Sequence, residues 1–179
     1  MPKPVNEYRR RRTLPSLALL LLLSAAAIPG WPVDTLEISE QNNGRSLYAA
    51  AMPLGSRFGT RIIHSVQLTP VIDIYRVQQG EIWGWREAIR SHNAGLPSQT
   101  PEKGRFYHSG DWMIIEGAGY SWPRIFYRVG SEALGRNQII IPNKRGDLVD
   151  LWRGHSGKRL IIESGKFPLY RLSVRNFLQ

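Results

Sequence analysis

The sequence contains no cysteine among its 179 residues. This absence excludes disulfides, thiol nucleophiles, cysteine zinc sites and lipid modification of an N-terminal cysteine. A folded domain built from this chain must therefore be stabilised by its hydrophobic core alone. The length favours a single domain, since domains usually run to about 100 to 200 residues.

Helical periodicity and concentrated positive charge are also scarce. No stretch after residue 30 keeps a 3.6-residue apolar period over three turns, which argues against a helical domain. The formal net charge is +10, but five cations against one anion in the first twelve residues leave only +6 for the rest. Because acids are scattered among the remaining arginines, the sequence predicts no nucleic-acid partner.

The N-terminus has the layout of an export signal. Four arginines, Arg9 to Arg12, precede an almost wholly apolar segment that ends at Ile28, as signal peptides do. Ala25 and Ala27 fit the small-x-small pattern for cleavage after Ala27. We therefore predict that the protein is exported to the periplasm and released after cleavage near Ala27.

An uncleaved anchor in the inner membrane is the alternative interpretation of residues 1–30. The 15 residues from Leu14 to Ile28 fall short of the ~20 that a spanning helix needs, although Trp31 could sit at the interface and extend the segment. In either case the arginines should stay inside and the domain should lie outside.

The rest of the chain alternates short strand-forming segments with turn residues, as an all-β fold does. Residues 31–45 are predicted to form a linker and a first short strand, Leu36 to Ile38. From residue 46, runs rich in β-branched and aromatic residues recur between Gly, Pro, Asn and Ser, a spacing typical of sandwiches and barrels. We therefore predict that residues 46–179 form a single-domain antiparallel β-sandwich or open barrel. The predicted strands are Leu47 to Met52, Arg61 to Leu68, Val71 to Gln78, Ile82 to Arg90, Trp112 to Glu116, Arg124 to Val129, Gln138 to Ile141, Leu148 to Trp152, Arg159 to Glu163 and Tyr170 to Val174. The segment Asp147 to Arg153 is ambiguous between a strand and one helical turn.

Strand alternation places His64 on an apolar face and Ser65 on the opposite face, because neighbouring side chains of a strand point in opposite directions. On that geometry Ser65 and His64 cannot work as a nucleophile and base. A histidine on an apolar face is more often a hydrogen-bonded core residue than a catalytic one.

A two-residue turn at Gln79-Gly80 predicts a tight hairpin. Counting outwards sets Asp73 opposite Arg86, an ion pair that would explain Asp73 structurally. The predicted register also pairs Val77 with Ile82, Tyr75 with Gly84, Val71 with Ala88, Arg76 with Trp83 and Ile74 with Trp85. The face formed by Arg76, Trp83 and Trp85, edged by Glu87, is predicted to be an interaction surface.

The motif HSV-x-x-TPV-x-D-x-Y, followed by AGLP, resembles a bacterial family of small exported proteins of unknown function. The motif residues are His64, Ser65, Val66, Thr69, Pro70, Val71, Asp73 and Tyr75, then Ala94, Gly95, Leu96 and Pro97. The resemblance covers roughly Leu47 to Val174. Members are often encoded beside, or fused to, the membrane component of TAXI-class tripartite ATP-independent periplasmic (TRAP) transporters. The family often has Glu where this chain has Asp73 and Gly where it has Asn93.

The resemblance implies a setting rather than a reaction. It suggests a non-catalytic accessory or binding subunit whose partner is a transporter membrane component, and it supplies no catalytic residues, metal site or cofactor. His64, Thr69, Asp73 and the loop Asn93 to Pro97 are then expected to form a polar cluster that locks the fold or contacts the partner.

Two alternatives remain open from the sequence. The first is a periplasmic hydrolase or metal-dependent enzyme that uses His64, Asp73, Glu87 and His92, with the loop Ser91 to Gly104 as the rim of its site. The second is a purely structural envelope protein.

Overall fold

The computed structural model describes residues 32–90, 102–141 and 147–168. The chain is mostly antiparallel β-structure arranged in two sheets, which confirms the predicted all-β class. The predicted signal segment, the Asn93 to Pro97 loop and the predicted strand Tyr170 to Val174 lie outside the described residues. Within the described part of the chain, no helix has the length and hydrophobicity to cross a membrane.

Twelve strands and one short helix make up the described ranges. In chain order they are β1 (Pro32–Glu40), β2 (Ser46–Ala51), β3 (Arg57–Ile63), β4 (Pro70–Gln78), β5 (Glu81–Ile89), β6 (Arg105–Ser109), β7 (Trp112–Glu116), β8 (Ser121–Trp122), β9 (Arg124–Arg128), β10 (Gly135–Ile140), β11 (Leu148–Asp150), α1 (Leu151–His155) and β12 (Arg159–Pro168). The smaller sheet has the order β2-β1-β12-β9. The larger has the order β11-β10-β3-β4-β5-β7-β6, with β8 beside β5.

The core lies between the two sheets. Leu36 and Ile162 of the smaller sheet and Phe58, Val77 and Ile82 of the larger belong to one buried cluster. Each is at most 2% exposed, and burying such a side chain stabilises the fold by about 1.5 to 3 kcal/mol. Their alternation along each strand defines an inner face of the larger sheet, towards the smaller sheet, and an outer face.

Five predicted strands match β2, β4, β5, β7 and β9 within one residue at each end. The predicted strands Leu36 to Ile38, Gln138 to Ile141 and Arg159 to Glu163 are found, but the observed β1, β10 and β12 are longer. Strand β7 coincides with Trp112 to Glu116. The predicted strand Arg61 to Leu68 is wrong beyond Ile63, where β3 ends and a turn begins. The predicted strand Leu148 to Trp152 stops at Asp150, and the chain continues as helix α1. Strands β6 and β8 were not predicted.

The hairpin of β4 and β5 turns at Gln79 and Gly80, as predicted. Both residues have positive φ, +58° and +80°, which is the type I′ geometry that matches strand twist. The carboxylate of Asp34 in β1 accepts hydrogen bonds from both turn amides, at 3.0 Å and 2.9 Å. The hairpin tip of the larger sheet is thereby tied to the smaller sheet.

Candidate functional site

The HSV motif forms a tight turn instead of a strand. The backbone N–H of His64 donates to the Thr69 carbonyl at 2.8 Å, and the N–H of Leu68 donates to the His64 carbonyl at 2.9 Å. His64 Nδ1 accepts the N–H groups of Val66 and Gln67 at 3.3 Å and 3.4 Å. The imidazole therefore stabilises the turn locally, in the way that Asx side chains cap turns. We call residues 64–69 the His64 turn.

His64 and Ser65 lie in this turn and not in a strand. The prediction that a strand directs their side chains to opposite faces is therefore wrong. Ser65 is exposed in the turn, while Pro70 opens β4, a position where a missing N–H is tolerated. The Thr69 hydroxyl is buried and has no hydrogen-bond partner within residues 32–90, 102–141 and 147–168.

Two apolar side chains project from the His64 turn. Val66 is 71% exposed and Leu68 is 70% exposed. Leu68 has φ +53°, a left-handed conformation that is uncommon for leucine. Beside the turn an open groove of about 600 Å³ is lined by Ile62, His64, Leu134, Asn137 and other residues, and Leu134 is itself 60% exposed.

The predicted pairing of Asp73 with Arg86 is wrong, because a β-bulge interrupts the hairpin. Tyr75 pairs with Gly84 as predicted, but the register shifts there, so that Trp85 is an extra residue and Asp73 lies opposite Glu87. A bulge moves every later residue by one position. The predicted pairs of Val71 with Ala88 and of Ile74 with Trp85 are wrong for the same reason: Val71 faces Ile89 and Ile74 faces Arg86.

Asp73 and Glu87, which we call the acidic pair, face each other on the inner face of the larger sheet. Directly opposed residues have Cβ atoms about 4.5 to 5.5 Å apart. Burial, and secondarily the charge of Asp73, raises the pKa of Glu87 to about 7. Burial also raises the pKa of Asp73, although hydrogen bonds from Thr60, at 3.2 Å, and Tyr75 offset part of this effect.

Tyr127 interacts electrostatically with Asp73 of the acidic pair, and Asn137 is hydrogen-bonded to Tyr127. Burial raises the pKa of Tyr127 to about 12, and the charge of Asp73 contributes to this rise. Asn137, which is 5% exposed, donates to the Tyr127 hydroxyl at 2.9 Å and accepts from the Gly130 amide at 2.5 Å. Sequence reasoning missed Tyr127 and Asn137, because nothing local links β9 and β10 to a carboxylate in β4.

Arg86 lies on the outer face, away from Asp73. Its Nε is 3.8 Å from Glu116, which also pairs with Arg105 at 3.2 Å. A distance of 3.8 Å exceeds a hydrogen bond, and Arg86 Nε is buried with no hydrogen-bond partner in the described part of the chain.

The predicted surface of Arg76, Trp83 and Trp85 does lie on the outer face, but with two corrections. Arg76 is opposite Trp83 in register, yet its guanidinium lies over the ring of Trp85, 3.2 Å from the centroid. The predicted edge residue Glu87 is on the inner face. Arg57 also approaches Trp85, at 5.2 Å. We call Arg57, Arg76, Trp83, Trp85 and Arg86 the arginine–tryptophan patch.

The sequence-predicted cluster is only partly assembled. His64 and Thr69 meet in the His64 turn, whereas Asp73 pairs with Thr60, four residues before His64. At the usual rise per residue of a strand, four residues place Asp73 about 13 Å from His64 along the strand. Within the described ranges, no group of three or more His, Cys, Asp or Glu side chains is arranged to hold a metal ion. His92 and the Asn93 to Pro97 loop lie outside those ranges.

Comparison with known families and proteins gives one match. The model of the family described as "Domain of unknown function (DUF1850)" matches residues 58–148, just over half of the 179 residues. Neither the curated proteins nor the solved structures contain a significant match. The matched segment spans the His64 turn, the acidic pair and most of the arginine–tryptophan patch, and the chain belongs to the DUF1850 family.

Proposed function

We propose that this protein is a non-catalytic, exported accessory or binding subunit that docks on the membrane component of a TRAP-type solute transporter. The observation that carries the proposal is the His64 turn, which presents Val66 and Leu68 at 71% and 70% exposure. The periplasmic setting rests on the arginine-led apolar N-terminus and on the family resemblance of the motif.

The His64 turn is suited to docking because its shape is fixed before binding. Two backbone hydrogen bonds and the two contacts of His64 Nδ1 restrain six residues. A preorganised turn loses little conformational entropy when its apolar side chains enter a pocket. The positive φ of Leu68 is a local strain of the kind that accumulates at functional sites.

The geometry around His64 supports a non-catalytic role. Its Nδ1 accepts backbone N–H groups, and a general base must instead reach a nucleophile and an orienting acid. The acidic pair lies farther along the sheet on the inner face, so the two features do not form a triad.

Co-purification tests the docking proposal. The full chain, tagged and co-expressed with a TRAP transporter membrane component from the same organism, is extracted in mild detergent and captured. We expect the membrane component to be retained by the wild type and lost with the double variant Val66→Ser/Leu68→Ser. Leu54→Ser, which removes a leucine that is 93% exposed in the β2–β3 turn, is the matched control and should retain the partner. A wild type that runs alone in detergent would overturn the proposal.

A hydrolase is a second candidate, favoured by the acidic pair alone. Two facing carboxyls with pKa values raised by burial can divide acid and base roles. If the protein is a hydrolase, the wild type should turn over chromogenic ester or glycoside substrates. Both Asp73→Asn and Glu87→Gln should abolish this activity. If the protein is instead a purely structural envelope protein, deleting its gene should leave solute uptake unchanged.

A further inference from the structure

Two arginines of the arginine–tryptophan patch, Arg57 and Arg76, place positive charge together without a counter-charge in the described ranges. Arg57 and Arg76 are opposite each other on β3 and β4, and both guanidiniums lie against the ring of Trp85. Within the described ranges, neither has a carboxylate at ion-pair distance. Outside those ranges the sequence contains one acidic side chain, Glu7. Within the described ranges the charges of Arg57 and Arg76 are therefore not neutralised by a paired carboxylate.

The patch also contains buried donors without acceptors. Arg76 Nε, Trp83 Nε1 and Arg86 Nε are buried N–H groups that have no hydrogen-bond partner among the described residues, although Arg86 Nε lies 3.8 Å from Glu116. An unsatisfied buried donor destabilises the folded state, and buried polar groups are otherwise nearly always satisfied. Three unsatisfied donors on two adjacent strands of one face require an explanation that fold stability does not provide.

The bulge at Trp85 brings Arg86 to the face that Arg76 and Trp83 already share. Without the extra residue, side chains 85 and 86 would lie on opposite faces of β5. With it, Arg86 is opposite Ile74 while the ring of Trp85 contacts Arg76. A guanidinium stacked on an indole keeps its N–H edge free in the plane of the fork, which suits the two oxygens of a carboxylate or phosphate.

The repulsion between the arginines points to the same kind of ligand. Burial lowers the pKa of Arg76, and the neighbouring Arg57 lowers it further. An anion between the guanidiniums would relieve this repulsion and accept from the free donors.

We propose that the arginine–tryptophan patch is a binding site for the carboxylate or phosphate group of a small anionic solute. Arg76 supplies the central charged fork, with Arg57 and Arg86 on either side. Trp85 holds the fork in place, and the indole N–H of Trp83 is a neutral donor. The site is separate from the His64 turn. Anion binding can therefore be observed even if partner docking is not, and partner docking can be observed even if anion binding is not.

Nitrogen-15 NMR of the full chain in a non-ionic detergent observes the donors directly. Succinate and inorganic phosphate are titrated separately, against sodium chloride of equal ionic strength. We expect saturable shifts of the Arg76 Nε–H, Arg86 Nε–H and Trp83 Nε1–H signals with at least one of the two anions. The anion that saturates at the lower concentration identifies the group the site takes.

Substitutions at Arg76 test whether this residue contributes to the affinity for the anion. Arg76→Gln should weaken Kd by about tenfold or more, since a charge-assisted hydrogen bond contributes about 1.5 to 3 kcal/mol. Arg76→Lys keeps the charge but loses the fork, and should fall between wild type and Arg76→Gln. Arg159→Gln, on the other sheet and exposed, has the same charge change and should leave Kd within about twofold.

Three results would overturn the proposal. They are shifts that do not saturate, shifts that sodium chloride reproduces, and an equal Kd for the wild type and Arg76→Lys. If Arg76→Gln does not fold, the Arg76→Lys comparison alone decides.

Discussion

At the scale of single residues, Glu87 governs the pH dependence of the inner face. Its pKa is about 7 in the folded chain against an ordinary value of 4.5, so the folded state binds the proton more tightly than the unfolded state. The resulting stabilisation is complete below about pH 4.5 and is lost as the pH rises to about 7. Asp73, whose pKa is also raised, acts in the same direction.

Replacing Glu87 by an uncharged isostere should remove this pH dependence. We expect Glu87→Gln to match the wild type in free energy of unfolding near pH 4.5 and to exceed it above pH 7, by on the order of 1 kcal/mol for a partly buried carboxyl. Urea unfolding between pH 4 and 9 measures the difference. Glu132→Gln, at an exposed glutamate, is the control. A Glu87→Gln curve parallel to that of the wild type would show that Glu87 titrates alike in both states.

At the scale of elements, the β4–β5 hairpin depends on a residue from the other sheet. Asp34 accepts the amides of Gln79 and Gly80, which would otherwise be free at the turn. We expect Asp34→Ala to lower the free energy of unfolding by about 1 to 2 kcal/mol, in the range for hydrogen bonds to a charged group near the surface. Urea unfolding at neutral pH measures the loss. Asp111→Ala, at the exposed turn between β6 and β7, should change it by less than about 0.5 kcal/mol.

The hairpin also shows how far the sequence predicts this fold. The Gln79-Gly80 turn follows from the glycine and from the alternation on both sides, and the register holds as far as Gly84. The bulge at Trp85 could not be predicted, because an extra residue leaves no local mark when Trp85 and Arg86 both suit the outer face. Its consequence is large, since it exchanges the partner of Asp73 from an arginine to a glutamate.

The His64 turn could not be predicted from the sequence for a related reason. Arg61 to Leu68 alternates apolar and polar residues well enough to predict a strand. The turn instead depends on the His64 side chain accepting its own neighbours' amides and on Leu68 at positive φ. Neither feature is among the Gly, Asn and Asp signals that normally mark turns.

At the scale of the whole molecule, an ion pair with a buried carboxylate joins two segments that are far apart in the sequence. Glu40, at the end of β1, is 3% exposed and accepts Lys158 Nζ at 2.6 Å, 118 residues away. It also accepts the Asn43 amide at 3.1 Å, and His155 Nδ1 lies 3.6 Å from it. The sequence could not reveal this cluster, because each residue occupies an ordinary loop or strand end. The pair fixes the β1–β12 junction, on which the smaller sheet depends.

The two charges should therefore be energetically coupled. Lys158 holds the pKa of Glu40 below its usual 4.5 in spite of burial, so the stabilisation is present above about pH 4.5 and is lost as the pH falls through the folded-state value. In a cycle of Glu40→Gln, Lys158→Met and the double variant, we expect a coupling of about 1 to 2 kcal/mol at pH 7, since Glu40 is buried while Lys158 is partly exposed.

A second ion pair on the same sheet provides the comparison. Arg124 and Glu163 are 3.9 Å apart with side chains 53% and 39% exposed, so the corresponding cycle should give less than about 0.5 kcal/mol. Urea unfolding of both sets measures both couplings, and repeating the Glu40 cycle at lower pH should reduce its coupling towards that of the exposed pair. Equal couplings at pH 7 would mean that water screens the Glu40 pair as it screens the surface pair. The junction of β1 and β12 would then be held by backbone pairing and by Leu36, Ile38 and Ile162 alone.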